Sequence, residues 1–343
     1  MLSSKIGGLR VAPEVSIIVP CFNEESTISL LLKAIHCQTY PLQNLEVVVA
    51  DAFSTDHTKD EIRKFSIVHP DLKIKVVDNL RQTIPAGINL AVKNSEGENI
   101  VRLDAHSIPD PNYVRLCLMD LKDGKGDCVG GVWDIKPGGK GWIALSIATA
   151  AANPLAVGDA HYRFTKHAQE VDTVPFGAFK KSLFNSVGGF DESLLTNEDY
   201  EFFTRIRKSG GKIWLDPAIR CVYFARPTFS GLAYQYWRYG FWKYRMLERY
   251  PNTIRWRQAL PPLFVSWLLI LLITFYFFPF SRFLLLFSLI FYFFILFFIG
   301  CLTAWKKKEG LLFLGIPMAI AIMHGCWGSG LLYSMIRKVI FRK

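Results

Sequence analysis

Asp104 and His106 stand two positions apart in Arg102-Leu-Asp-Ala-His, at the end of a short apolar run that follows Gly97-Glu98. A carboxylate and an imidazole so spaced, where a buried strand meets a loop, can face one metal–phosphate site. Hard ions such as Mg2+ or Mn2+ take oxygen ligands, and Mn2+ also accepts imidazole. The plainer reading is a histidine that caps the turn before Pro109. Other acidic clusters are Asn23-Glu24-Glu25, Asp51 and Glu198-Asp199 with Glu201. Glu198, Asp199 and Glu201 also open a predicted helix, and the helix dipole alone favours acids there.

These residues need elements to hold them. Apolar runs predict strands over 15–20, 45–50, 73–77 and 99–103. Between them, helical spacing predicts helices over 26–37, 55–65, 85–95 and 111–123, the first with Ile28, Leu31, Leu32 and Ile35 on one face. Repeated β-α-β units imply a mostly parallel, doubly wound sheet whose ligands bind at the carboxyl ends of the strands. Glu24, Asp51 and Asp104 all fall at such ends. Asp51 with Ser54 could instead only shape a turn, with Ser54 and Asp56 capping the next helix.

Charge is unevenly spread. The 343 residues carry a net +11, yet residues 1–225 hold 25 Lys and Arg against 27 Asp and Glu, and residues 226–343 hold 15 against 2. Basic charge beside long apolar runs points to anionic lipid headgroups; a slightly acidic first part argues against nucleic acid as a partner. Seven cysteines without zinc-ligand spacing read as core thiols in a reducing compartment. Residues 1–13 lack an apolar signal region, so the first domain is expected on the cytosolic side.

Segments 261–279, 283–304 and 311–335 are long enough to cross a bilayer. Arg255 and Arg257 precede the first and Lys306-Lys307-Lys308 follow the second, with Arg282 between, so the positive-inside rule makes a hairpin with both ends cytosolic. The third is interrupted by Pro317, His324 and several glycines. As a span it would leave Arg337-Lys338 and Arg342-Lys343 outside, against the rule; a re-entrant or tilted segment would return them. His324 could hold a lipid phosphate, or the small residues around it could serve close helix packing.

With these residues in hand, the chain resembles glycosyltransferase family 2, of GT-A fold, over roughly residues 14–225. VSIIVPCFNEE resembles the family's opening strand and loop, and VVVADAFSTDHT its second strand. RLDAH stands where the family has D-x-D, with His106 in place of the usual Asp. VGGFDESLLTNEDYEFFTRIRKSGGKIW resembles the acceptor segment with its catalytic Glu-Asp pair. NLRQTIPAGINLAV, DAH and QYWRYGFWKYR point to the succinoglycan-type, ExoA-like branch.

The resemblance implies a GT-A domain over 1–225 with a Rossmann-like, mostly parallel sheet, interfacial amphipathic helices over 226–260 and a transmembrane region over 261–343. It implies that Pro20, Glu24, Asp51, Arg81 and Asp104 bind a nucleotide sugar. His106 would ligate Mg2+ or Mn2+ directly, Asp104 would meet the ribose or a metal-bound water, and Asp199 with Glu198 would be catalytic. Gln235 and Arg238 resemble the Q-x-x-R-W motif, with Tyr239 in place of Trp, which fits transfer of a single sugar. Arg238 could hold a diphosphate bidentately. Alternatively, this helix lies in the interface with Trp237, Phe241 and Trp242 sunk among lipids. Gly130-Gly131 and 175–179 could let backbone approach sugar and acceptor, or form plain turns.

The expected function is an inverting, metal-dependent transfer of a hexose, glucose by preference, from a UDP-sugar to a polyprenyl-diphosphate-linked saccharide. It would serve exopolysaccharide or glycan assembly at the inner face of the cell membrane. A polyprenyl-phosphate hexosyl synthase and a non-catalytic membrane binding module stand as alternatives.

Overall fold

The computed structural model describes residues 12–340; the expectations drawn from residues 1–11 and from Arg342-Lys343 lie outside the described residues. Two compact units divide the chain. One comprises Met1–Gly131, Val174–Phe190 and Ile206–Cys221, the other Val132–Thr173, Asp191–Arg205 and Val222–Lys343.

In the first unit, β1 (Val15–Cys21), α1 (Ile28–His36), β2 (Leu45–Asp51), α2 (Thr58–Val68), β3 (Lys73–Asp78), α3 (Ile84–Asn94) and β4 (Asn99–Arg102) alternate as the apolar spacing predicts. β1 and β2 are buried almost end to end because both of their faces are covered. β1 pairs in parallel with β2 and β4, and β2 with β3. The register sets Cys21 opposite Asp51 and Asp51 opposite Asp78, so three carboxyl ends align. α2 starts at Thr58 rather than 55 because side chains hold the loop before it: Asp56 accepts from the Thr58 and Glu25 amides at 3.0 and 3.1 Å.

The chain continues through β5 (Ile108–Pro109), α4 (Tyr113–Lys122), β6 (Cys128–Pro137), α5 (Trp142–Ala151), α6 (Pro154–Val157), β7 (Gln169–Glu170), β8 (Ala178–Lys180), α7 (Lys181–Val187), α8 (Glu198–Lys208) and β9 (Ile213–Ala225). The nine strands among the described residues run β3-β2-β1-β4-β8-β6-β9-β5, with β7 on β9. β8 is antiparallel to both β4 and β6. The sheet is therefore mixed, with its parallel half the one predicted from sequence. Gly130 and Gly131 are required by that antiparallel half. A Cβ at Gly130 would lie 2.7 Å from the Val174 Cβ, and one at Gly131 would overlap the Ile219 carbonyl.

The second unit is built on α9 (Phe229–Leu247), α10 (Trp256–Thr274), α11 (Pro279–Lys307) and α12 (Leu312–Ile340). The last three are long and apolar enough to cross a membrane. Only 11% of the apolar stretch of α10, and of α11, is buried, against 44% for α12. The bare leucine and phenylalanine faces of α10 and α11 need an apolar solvent. α10 begins at Trp256, earlier than expected, and runs through Pro261 and Pro262, with Gln258 Oε1 accepting from the Arg255 amide at 3.2 Å at its head.

α12 is one continuous helix. Pro317 falls in its second turn, where losing a single backbone bond does not stop a helix, so the expected interruption does not occur. Three of its four glycines are contact points: Gly315 meets Ser146, Gly328 the Pro261 carbonyl and Gly330 the Trp237 carbonyl, while Gly240 of α9 meets the Trp327 carbonyl. His324 hydrogen-bonds the Tyr292 hydroxyl (3.0 Å) and the Leu155 carbonyl (3.2 Å). Trp327 Nε1 donates to the Gln258 carbonyl at 3.0 Å, and Lys338 pairs with Glu248. Trp237 and Phe241 stack on each other and pack on Tyr333. One side of helix α12 thus packs on protein, including the basic helix α9, while its last turns are exposed.

Arg255 and Arg257, at the head of α10, converge on Asp172 at 3.2 and 2.9 Å, and Arg257 also pairs with Asp159. Burial alone pushes the Asp172 carboxyl upward, but Arg257, Arg255 and the Tyr200 hydroxyl outweigh it and hold it below the usual carboxylate range.

Candidate active site

The carboxyl ends of β1, β2 and β4 carry the predicted residues. Asp51 is fully buried. Its Oδ1 accepts from the Ser54 hydroxyl at 2.6 Å and its Oδ2 from the Ser54 amide at 3.1 Å, while Lys59 lies 3.3 Å away and also reaches Asp78 at 2.8 Å. Asp51 therefore shapes its own turn. Ser54 is not the cap of α2: its Oγ ties Asp51 to the Asn23 amide at 2.9 Å. Burial raises the Cys21 thiol, with Asp51, Glu24 and Asp56 adding to the shift, so this thiol stays protonated.

Glu24 and His106 meet. Glu24 Oε1 lies 3.0 Å from His106 Nδ1, and its Oε2 accepts from the Thr27 hydroxyl. A ring whose Nδ1–H donates to a carboxylate keeps Nε2 as its lone-pair nitrogen, the arrangement by which second-shell carboxylates orient histidine ligands. Asp104 Oδ1 lies 3.3 Å from a guanidinium nitrogen of Arg102, a buried strand residue whose cation also faces the Phe190 ring at 5.9 Å. Asp104 and His106 keep 28% and 41% of their side chains exposed, so both are open to a ligand. Pro20 lies within β1, and Arg81 in the loop after β3.

Backbone conformation marks the same strand ends. Asn23 after β1, Phe53 after β2 and Gln82 after β3 all take left-handed φ values, 53°, 61° and 53°. Such strain costs about 1 kcal/mol or more per residue and persists where surroundings over-determine it. Sequence reasoning placed Asn23 in the cluster after the first strand but missed Phe53 and Gln82, and Arg102, Lys59 and Asp78 as well. The only sequence signal was a basic residue inside an otherwise apolar strand at 102.

Glu198 begins α8 and is 6% exposed, while Asp199 is half-buried and its Oδ1 accepts from the Tyr200 amide at 2.7 Å. Asn197, directly before them, has φ 66°. Glu201 is 1% exposed and bonded to Arg205 through both oxygens at 2.8 Å and to the Tyr250 hydroxyl at 2.9 Å. Its work is structural. Arg238 reaches the Thr196 hydroxyl (3.2 Å) and the Leu195 carbonyl (3.4 Å), and Gln235 donates to the Tyr223 and Tyr239 hydroxyls at 3.1 and 2.9 Å. Both motif residues of α9 therefore brace the turn into α8 and the tyrosines beside it.

The sequence signature of glycosyl transferase family 2 matches residues 16–188, half of the chain. This chain belongs to glycosyl transferase family 2. The chain is 30% identical over 250 residues to the succinoglycan biosynthesis protein ExoA of Rhizobium meliloti (strain 1021), covering 71% of this chain and 73% of that one. It is 28% identical over 266 residues, 76% of this chain and 81% of the relative, to the dolichyl N-acetyl-alpha-D-glucosaminyl phosphate 3-beta-D-2,3-diacetamido-2,3-dideoxy-beta-D-glucuronosyltransferase of Methanococcus voltae. Among solved structures, the mannosyltransferase PcManGT of Pyrobaculum calidifontis, in complex with GDP-Man and Mn2+, superposes with a TM-score of 0.62 at 19% identity. That match covers 97% of this chain and 89% of the other. At that identity the likeness is one of fold: the family 2 domain here has the GT-A sheet, and the enzyme is a glycosyltransferase.

Proposed function

We propose that this chain is an inverting, metal-dependent hexosyltransferase. It moves a sugar, glucose by preference, from a UDP-sugar to a polyprenyl-diphosphate-linked saccharide at the cytoplasmic face of a membrane. The observation that carries the donor side is the pairing of Glu24 with His106 beside an Asp104 steadied by Arg102. That donor set fits a divalent ion whose other positions are filled by diphosphate oxygens. His106 and Asp104 would hold the ion, which when bound neutralises charge on the nucleotide diphosphate. Pro20, Asp51 and Arg81 belong to the same nucleotide-binding strand ends.

Asp199 is the proposed base, with Glu198 its buried companion. The acceptor hydroxyl oxygen forms a bond to the anomeric carbon, the bond from that carbon to the diphosphate oxygen breaks, and the hydroxyl proton passes to the Asp199 carboxylate. Gln235 and Arg238 support the acceptor side by fixing the turn that leads to Glu198 and Asp199.

The lipid-linked acceptor is supported by the open apolar faces of α10 and α11 and by the dolichyl-linked substrate in the name of the Methanococcus voltae relative. In this reading α10 and α11 form a hairpin across the bilayer. Helix α12 lies in the interface beside α9, which returns its basic end to the cytoplasmic side as the positive-inside rule asks.

Transfer from UDP-glucose to a polyprenyl-diphosphate sugar, assayed with Mn2+, should fall about 10²- to 10⁴-fold in Asp199→Asn, with UDP binding kept. Full activity in that variant removes Asp199 from the base role and favours an acceptor that is already an anion, such as a bare polyprenyl phosphate.

A further inference from the structure

We propose that His36, His69 and Asp71 form a second metal site, for a borderline divalent ion such as Zn2+. His36 is the last residue of α1, His69 is the residue that ends α2, and Asp71 lies in the turn before β3. One ring nitrogen from each histidine and one Asp71 oxygen all lie within 4.8 Å of one another. His36 Nε2 is 3.0 Å from Asp71 Oδ2, and the two imidazole centroids are 4.3 Å apart. In a tetrahedral zinc site with bonds of about 2.0 Å, neighbouring ligand atoms are about 3.3 Å apart. The widest gap therefore has to close by up to about 1.5 Å, within reach of side-chain rotation in a half-buried His69 and an exposed Asp71.

Two further observations favour a cation there. Both histidines sit at helix C-termini, where the peptide dipoles leave partial negative charge, so two helix ends and a carboxylate converge. Phe65 packs against both rings, with centroids 6.3 Å from His36 and 4.4 Å from His69, which limits their freedom before any ion binds. Two nitrogens and one oxygen favour Zn2+, Co2+ or Ni2+ over Mg2+ or Ca2+, and three protein ligands leave a fourth position for water. The ion would clamp the ends of α1 and α2 together, so its effect is on stability, and it is independent of the Asp104–His106 pair.

The test uses the full chain in detergent, free of any affinity tag and stripped with chelator. Zn2+ alone is titrated by calorimetry, and Co2+ by visible absorption. The wild type should bind one Zn2+ tightly, His106→Ala should bind it equally well, and His36→Gln and His69→Gln should each weaken it by about tenfold or more. Zn2+ should raise the thermal midpoint of the wild type but not of the double variant, and Co2+ should give the intense bands of a tetrahedral site in the wild type and in His106→Ala but not in the double variant. The exposed Asp71→Asn gives a variant whose fold is not at stake, and it too should bind more weakly. Unchanged Zn2+ affinity in the folded double variant, or none in the folded wild type, overturns the site; the latter leaves the three as a His36–Asp71 bond with His69 stacked on Phe65.

Discussion

A carboxylate behind an imidazole decides which nitrogen the ring can offer. Glu24 does this for His106, and Arg102 does the corresponding work for Asp104. His106→Ala is expected to weaken Mn2+-dependent UDP binding by about 10- to 100-fold, and His106→Asp to keep most of it, because oxygen ligands suit the same ion. Calorimetry with and without Mn2+ reads both; an alanine variant with unaltered metal dependence would take His106 out of the ligand set. Glu24→Ala should cost about tenfold in the same assay through loss of ring orientation, with Glu24→Gln in between, since its amide oxygen still accepts from Nδ1. The acidic residues were legible in the sequence because each stands where a buried apolar run ends. Arg102, Lys59 and Asp78 were not, because their roles depend on which strands lie side by side, and the Cys21–Asp51–Asp78 alignment is a fact of register. The same limit explains Glu24: its partner lies far along the chain, across the β1–β4 pairing.

At the scale of elements, the parallel strands and their helices followed from apolar spacing. The antiparallel half did not, since β8 is three residues long and β6 owes its path to Gly130 and Gly131. Residues 133–170 hold the end of β6 and the apolar helix α5, whose Ser146 packs on Gly315 of α12. The head of α10 supplies a sharper expectation. Asp172 is 5% exposed and faces Arg255 and Arg257. Removing one partner of a buried pair leaves charge uncompensated, so Asp172→Asn should cost about 3 kcal/mol in the second unit. The folded carboxyl is held below its ordinary range, so its contribution is complete above the unfolded pKa and is lost as pH falls through the folded one. Thermal midpoints in detergent should therefore drop on acidification in the wild type and much less in Asp172→Asn. Parallel pH profiles for the two proteins would refute this role.

At the scale of the molecule, the chain joins the sheet of a family 2 glycosyltransferase to helices whose outer faces water does not suit. The full chain should stay with the membrane pellet after an alkaline carbonate wash; release into the supernatant would argue against α10 and α11 as spans. Length and composition make α12 a third candidate span, whereas the proposed interfacial position keeps its basic end on the cytoplasmic side. A fluorescent reporter fused after residue 343 should glow on the cytoplasmic side, and a periplasmic phosphatase fused there should be inactive; the opposite pattern would make α12 a span. The most direct test of the whole account is sugar transfer from labelled UDP-glucose, alongside other UDP- and GDP-sugars, into the lipid fraction with purified protein and polyprenyl-diphosphate sugar. The expected result is labelled lipid that needs Mn2+ or Mg2+ and disappears in Asp104→Asn. Transfer that proceeds equally in chelator and in Asp104→Asn would contradict it.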